Sequence, residues 1–250
     1  MRGGVSRARR IADRFGAAAE TYGEAARVQR RIAEALARDI LAEPIAARAR
    51  VLELGCGGGL LTALVAPALD PDLWVASDIA PAMLGVLGRT VTHGAVARVA
   101  MDAEAPCMAP GFDLVCSSLT LQWLADPARA LARWRALVRP GGILAFATLL
   151  EGSFGEWRAA LKAAGAPQPQ PSLPTLDALL SWAPGARAHT LSLTEPHASA
   201  LDFLKSSRRA GVDAGLARAL DAGIMRRAIR ALDRLGPAAT YHAAIVIVRA

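Results

Sequence analysis

Aromatic residues make up only 5% of the 250-residue chain. Its apolar content therefore rests on Ala, Leu and Val, which suits helices packed closely on one another or on a sheet. Lysine is nearly absent, since just Lys162 and Lys205 are lysines among 29 basic residues. The three cysteines, Cys56, Cys107 and Cys116, show neither ligand spacing nor disulfide density. That argues against a stapled secreted fold and makes a reducing cytoplasm the expected compartment. No apolar run approaches the ~20 residues of a membrane span, Ile143 to Leu150 being among the longest, and no secretory apolar stretch follows Met1. There is no internal repeat and no low-complexity tract, and 22 Gly with 15 Pro is ordinary.

What is present is a chain long enough for one α/β domain, 53% apolar. Its charge is divided by region. Residues 1–50 carry 11 Arg against 6 acids, residues 201–250 carry 9 basic residues against 4 acids, and the middle carries 9 against 12. Two basic ends around an acidic centre imply an acidic partner, or a solvated Arg-rich surface with none.

Periodicity sets out the elements. Val28, Ile32, Leu36 and Ile40 fall four apart in an Ala-rich stretch, predicting one or two helices over Ala17–Leu41. Strand signals at Val51–Leu54, Trp74–Ser77, Ala97–Met101, Phe112–Cys116 and Ile143–Thr148 alternate with helix signals at Leu60–Ala68, Pro81–Gly88 and Pro127–Val138. Such alternation predicts a parallel sheet with helices on both faces. Asp126 before Pro127 reads as a helix cap, and Arg139-Pro140-Gly141-Gly142 as a sharp stop. Beyond Leu150 come a helix at Phe154–Ala164, the Pro-rich stretch Pro167–Pro174, a strand at Ala188–Thr194, helices at Ala198–Ser207 and Leu216–Leu235, and a final strand at Tyr241–Val248. One domain over 1–250 is expected, with an N-terminal helical lid (1–45), a binding core (46–150), and cap helices with the last strands (151–250).

The strongest local signal is Val51-Leu52-Glu53-Leu54-Gly55-Cys56-Gly57-Gly58-Gly59. An apolar strand runs into a glycine turn that opens a helix, so a ligand can lie on bare main chain facing unpaired N–H groups. A dinucleotide fingerprint needs a glycine where Leu60 stands. Glu53 inside the strand cannot hold a pyrophosphate, but can orient a ligand ammonium or the loop amides. A ligand bearing ammonium, carboxylate and ribose fits better, which describes S-adenosylmethionine. Asp78 ends the second strand, where an acid can accept both ribose hydroxyls or merely cap a helix. Asp102 ends the third and can accept an adenine amino group while the Ala103 N–H reaches a ring nitrogen. Ile79 and Met83 are candidates to pack on the nucleoside, or are plain core.

Glu53–Gly59, Asp78–Leu84, Asp102 and Phe112-Asp113-Leu114-Val115 together resemble class I S-adenosylmethionine-dependent methyltransferases. Much of the rest is similar to one branch, the malonyl-acyl-carrier-protein O-methyltransferases of biotin synthesis. The matching stretches are Phe15–Tyr22 with Val28-Gln29-Arg30, Ser117–Trp123, Thr148–Ser153, Leu204-Lys205 and Thr240-Tyr241-His242. Pro167–Pro174 and Ser206–Gly211 depart from that branch's pattern. The resemblance implies a doubly wound, mostly parallel seven-stranded sheet with a helical lid and a small helical cap. It implies S-adenosylmethionine as cofactor, S-adenosylhomocysteine as product, no metal, and a malonyl group on acyl carrier protein as acceptor. No nucleic acid or membrane is implied, and a monomer is expected.

The residues assigned to the cofactor are Glu53, Gly55, Cys56, Gly57, Gly59, Asp78, Ile79, Met83, Asp102, Ala103 and Ser117. Tyr22, Gln122 and Trp123 are assigned to catalysis, with Tyr22 on the lid, Gln122 holding the acceptor carboxylate and Trp123 walling the pocket. Lys205, Arg208, Arg209 and His242 are assigned to substrate or carrier, and Arg226 with Arg227 is a further docking pair. A malonyl carboxylate is ionised near neutrality, its reference pKa being ~4, so no strong general base is required. The competing readings are a methyltransferase for another small carboxylate or metabolite, a nucleic-acid methyltransferase, a methyltransferase-like assembly factor, and a dehydrogenase. No Asn-Pro-Pro-Tyr type motif follows the fourth strand, and Leu60 with Glu53 disfavours the dehydrogenase.

Overall fold

The computed structural model describes residues 7–166, 173–209 and 220–250, the side chains of 22–25 excepted. Its central strands are mostly apolar and buried because both faces of the sheet are covered there, whereas the edge strands are more exposed. They are β1 (Arg50–Leu54), β2 (Leu73–Asp78), β3 (Val96–Ala100), β4 (Phe112–Ser118), β5 (Val138–Leu149), β6 (Arg187–Pro196) and β7 (Ala238–Arg249). They form one sheet in the order β3-β2-β1-β4-β5-β7-β6. β1, β2, β3, β4 and β5 are parallel, while β7 runs antiparallel between β5 and β6. This is the expected doubly wound sheet, finished by an antiparallel pair.

The helices are α1 (Arg7–Ala25), α2 (Arg27–Leu41), α3 (Leu60–Leu69), α4 (Pro81–Thr90), α5 (Pro127–Leu137), α6 (Gly155–Ala163), α7 (Leu176–Trp182), α8 (Ala200–Arg209) and α9 (Ala222–Leu235). The four-apart row Val28, Ile32, Leu36 and Ile40 is buried, laying α2 across one face with Val51, Trp74 and Leu114 beneath it. Alternate strand residues, Leu52, Leu54, Val115, Leu144 and Phe146, point to the other face and meet Leu131 and Trp134 of α5 and Leu179 of α7. The scarce aromatics are spent inside: Trp74, Trp134, Trp157, Phe112, Phe146 and Phe203 are fully buried. A buried aromatic contributes several times what an Ala can. On the first face α6, α8 and α9 form the cap, and α1 packs across α4 and α8.

Three readings are corrected. Helix α1 is described from Arg7, ten residues before the expected Ala17. The helix before Arg139-Pro140-Gly141-Gly142 does stop sharply, at Leu137, but the four residues lie inside β5 and not in a turn, and the pairing with β4 slips there between Phe112 and Leu114. That bulge accommodates the proline and glycines. Helix α7 follows the Pro-rich stretch, where none was expected; Thr175 caps it by accepting the Ala178 N–H. Residues 167–172 of that stretch and 216–219 of the expected last helix lie outside the described residues, and α9 is described from Ala222. Among the described residues no helix is long and apolar enough to cross a membrane.

Candidate active site

Strand order reverses between β1 and β4, and their carboxyl ends diverge there into loops that leave a crevice. After β1 the chain turns through Gly55, Gly57 and Gly59 with φ of +71°, +52° and +88°. At Gly55 a side chain is excluded twice over, because a Cβ would sit 2.0 Å from the Thr120 Oγ1. That close approach brings the loop after β4 against the glycine turn. Asp78 fixes the turn from the next strand: its Oδ2 accepts the Gly57 N–H at 2.9 Å and its Oδ1 the Ala80 N–H at 2.8 Å. Burial pushes the Asp78 carboxyl above its ordinary range, opposed by those N–H donors.

The crevice is a cleft of about 710 Å³. Asp78, Ile79 and Met83 line it from the end of β2 and the start of α4, and Asp102, Ala103 and Glu104 from the loop after β3. Ser118, Leu119, Thr120 and Trp123 line it from the end of β4, and Arg7, Ala8, Ile11 and Phe15 of α1 roof it. Roof and wall meet where Phe15 packs edge-on against Trp123, ring centroids 5.4 Å apart. The loop after β3 is pinned: Asp102 Oδ1 accepts the Glu104 N–H, the Glu104 carboxylate accepts the N–H groups of Ala125 and Asp126, and the Ala103 carbonyl accepts the Trp134 indole N–H.

A second cavity of about 310 Å³ lies on the α2 side and is lined by Gln29, Glu53, Cys56, Leu60 and Leu61. The two cavities share Gly55, Gly57, Ser118 and Leu119. Together they form an elongated site with Asp78 and Asp102 toward one end and Glu53 and Gln29 at the other. Glu53 is buried, and its Oε2 accepts from the Thr62 hydroxyl and, at 3.0 Å, from the Trp74 indole. Burial outweighs those donors and pushes its pKa up to about 7. Burial likewise raises the Cys56 thiol, so it stays protonated.

Of the expected cofactor residues, Glu53, Gly55, Cys56, Gly57, Asp78, Ile79, Met83, Asp102 and Ala103 line one or both cavities. Asp78, not Glu53, takes the loop amide. Ser117 and Gly59 do not line either. Ser117 Oγ donates to the Leu54 carbonyl at 2.7 Å and is buried between strands, while its neighbour Ser118 faces the site. Strand alternation makes that difference of one residue decisive. Gly59 starts α3, where a Cβ would press at 3.1 Å on Leu87 of α4, so its role is helix packing.

The acceptor-side expectations fare unevenly. Trp123 is in the cleft. Gln122 does not line it: its Nε2 donates to the Leu119 carbonyl at 2.8 Å and its Oε1 accepts from the Thr148 hydroxyl at 3.2 Å. Tyr22 falls on α1, with its side chain outside those described. His242 sits on β7, beneath Gly152, where a Cβ would come within 3.0 Å of its ring, and lines neither cavity. Lys205, Arg208 and Arg209 are exposed on α8, and the Arg209 carbonyl accepts from the Thr21 hydroxyl of α1 at 3.5 Å. Arg227 is exposed, and its guanidinium donates twice to the Ala164 carbonyl after α6. Arg7, Ile11 and Gln29 were not assigned to the site from the sequence. The signals for Gln29 are its polarity within the apolar rhythm of α2 and its place in Val28-Gln29-Arg30, one of the stretches that carry the resemblance.

Comparison with known proteins identifies the family and agrees with the fold. The family described as "Methyltransferase domain" matches residues 25–186. A biotin biosynthesis bifunctional protein BioCD of Bordetella avium is 41% identical over 94% of this chain, which spans about half (51%) of that relative's length. A malonyl-[acyl-carrier protein] O-methyltransferase of Magnetococcus marinus is 33% identical, with 96% of this chain and 92% of that protein covered. Among solved structures, the YcgJ protein of Bacillus subtilis superposes with a TM-score of 0.63 at 12% identity, over 86% of this chain and 97% of that one. The geranyl diphosphate C-methyltransferase of Streptomyces coelicolor, crystallised with S-adenosyl-L-homocysteine, gives 0.54 at 14% identity, over 87% and 78% of the two chains. Those two likenesses speak to the fold alone.

Proposed function

The chain belongs to the methyltransferase family, in the branch of the malonyl-[acyl-carrier protein] O-methyltransferases, and from that membership we propose that it transfers a methyl group from S-adenosylmethionine to the free carboxylate of a malonyl thioester on acyl carrier protein. The product is the methyl ester that primes synthesis of the pimeloyl precursor of biotin. The observation that carries this reading is the pair of joined cavities at the ends of β1 and β4, with acids at one end and Gln29 and Glu53 at the other. The site suits an extended ligand that is a nucleoside at one end and an amino acid at the other.

In this reading Asp78 receives the ribose hydroxyls, Asp102 and Ala103 receive the adenine edge, and Ile79 and Met83 flank the nucleoside. Glu53, Cys56, Gly55 and Gly57 surround the amino-acid end. S-adenosylmethionine, when bound, supplies an electrophilic methyl group. The protein's share is to align the acceptor with it and to exclude water, which α1 and Trp123 do by closing the cleft. A malonyl carboxylate is already an anion near neutrality, so none of the chain's residues has to remove a proton from it. Trp123 walls the acceptor side, with Tyr22 on the lid as a further contact, while His242 stands behind Gly152 and outside both cavities. Lys205, Arg208 and Arg209 meet the acidic carrier; the last turn of α8 abuts α1, so a carrier docked there is next to the roof of the cleft. A cytoplasmic monomer suits this work.

The experiment is to incubate purified protein with labelled S-adenosylmethionine and, in parallel, malonyl-carrier protein, free malonate and tRNA. Label is expected on the carrier as a base-labile methyl ester. Label on tRNA, or on free malonate in preference to the carrier, would overturn the acceptor assignment. S-adenosylhomocysteine at a hundredfold excess over Kd is expected to stabilise the fold by roughly 2.7 kcal/mol, and NAD is expected to have no effect.

A further inference from the structure

Leu119 has a φ of +58°, in the left-handed region that a Cβ-bearing, γ-branched side chain disfavours. It is also the residue that follows β4 and lines both cavities. Such a conformation persists only where its surroundings over-determine it. Here two main-chain groups of Leu119 are each held: its N–H donates to the Ala147 carbonyl of β5 at 2.9 Å, and its carbonyl accepts the Gln122 Nε2. Gln122 is itself fixed, since its Oε1 accepts from Thr148 Oγ1, and Thr148 is fully buried on β5. The side-chain amide therefore has a donor and an acceptor partner within the protein. It bridges a buried hydroxyl and the carbonyl of the strained residue, and Gln122 lines neither cavity.

We infer that Gln122 is a positioning residue that holds the left-handed turn at Leu119, and so sets where the floor shared by the two cavities lies. This rests on the proposed methyl transfer and refines it. The junction of the nucleoside and amino-acid ends is where the transferred methyl and the acceptor oxygen must come into line. A floor displaced by about an ångström there can lower the rate roughly a hundredfold. The Gln122 amide reaches that floor through Leu119 and makes no contact with the acceptor.

The test uses three substitutions in the full chain. Gln122→Glu keeps an acceptor for Thr148 and removes the donor to Leu119. Thr148→Val keeps the shape of β5 and removes the hydroxyl that fixes Gln122. Leu119→Gly places at the turn a residue for which positive φ is unstrained, so the turn no longer needs holding. Gln122→Glu is expected to lower kcat roughly 10- to 100-fold while leaving the KM for malonyl-carrier protein within about twofold. Thr148→Val should shift the same constant in the same direction, by less. In the Leu119→Gly background the further loss caused by Gln122→Glu should shrink at least severalfold.

A rise in acceptor KM with kcat retained would make Gln122 a direct ligand and overturn the inference. So would an equal loss in both backgrounds, or a fall in melting temperature with kcat unchanged. If the unaltered protein transfers no methyl to malonyl-carrier protein, the proposed acceptor fails, and the same cycle is then read on S-adenosylhomocysteine affinity. There a loss relieved by Leu119→Gly supports the positioning role. An additive loss, or none, overturns it.

Discussion

At the scale of single residues, Asp78 shows how one carboxylate can serve both fold and site. Its two oxygens hold the Gly57 and Ala80 amides while the group lines the cleft. Asp78→Ala is expected to weaken S-adenosylmethionine binding by about 1–3 kcal/mol, the scale of lost hydrogen bonds to a charged group. Titration calorimetry reads this directly; unchanged affinity would leave Asp78 as a brace for the loop. Glu53 carries a pH prediction. Its pKa stands near 7 in the fold against 4.5 for a free side chain, so the folded state holds a proton that the unfolded chain releases. Its contribution is fully present below about pH 4.5 and is lost as pH rises through about 7. Glu53→Gln should remove that slope, making the variant more stable than the parent above neutrality by up to about 3 kcal/mol. Urea melts at several pH values check this, and parallel pH profiles would refute it. Residue-level legibility was limited by distances of one position. Spacing placed an acid at the end of each of two strands, and both acids line the cleft. It could not say that Ser118, not Ser117, turns inward, because that depends on the exact end of β4. Nor could it say that Gln122 folds back onto its own loop.

Among the elements, α1 does the most for the site with the least sequence signal. It roofs the cleft with Arg7, Ala8, Ile11 and Phe15, yet its first turns carry four basic residues around few apolar ones. Ala8, Ile11, Ala12 and Phe15 do recur at helical spacing, but two of the four are small alanines, and the face they form covers a ligand site and not a core. The contact between Phe15 and Trp123 keeps the roof down. Phe15→Ala should speed cofactor dissociation and weaken affinity by about 0.5–1.5 kcal/mol, the worth of an aromatic pair. Stopped-flow measurement of release distinguishes a roof from a brace: a brace would lower the melting temperature and leave the release rate alone. The opening residues of β5 and helix α7 escaped the sequence for another reason. Proline and glycine in 139–142 are usual signs of a turn, and only the register slip against β4 makes room for them in a strand. Seven residues of α7 are too few to establish a helical period.

Over the whole molecule, the alternation of strands and helices specified the sheet, its parallel core and its antiparallel finish. Topology there follows from connection rules that need no side-chain detail. The basic ends of the chain were equally plain, but composition cannot tell a docking cation from a structural one. Arg227 is tethered to the carbonyl after α6, and Arg187 and Arg249 are both paired with buried Glu43. Reversing Arg208 and Arg209 to Glu should raise the KM for malonyl-carrier protein and make it less sensitive to salt, because screening shortens from ~10 Å at 0.1 M to ~3 Å at 1 M. A short malonyl thioester without the carrier should be methylated alike by both proteins. Equal impairment on both substrates would move those arginines out of docking and into the cap.

The place of β7 has a bearing on how the protein is made. It is the seventh strand in sequence but the sixth in space, wedged between β5 and β6, which have no hydrogen bonds to each other without it. Until residues 238–249 have left the ribosome, β6 has no neighbour and β5 presents a long, open edge of Ile143, Leu144, Ala145 and Phe146. An edge of that length and hydrophobicity invites pairing with another chain. Synthesis therefore passes through an interval in which five parallel strands can form and bind ligand at β1 and β4, while the sheet is still adhesive. A chaperone acting on this protein during translation would find its task there, and a cofactor that stabilises the early strands would shorten the time the open edge is dangerous.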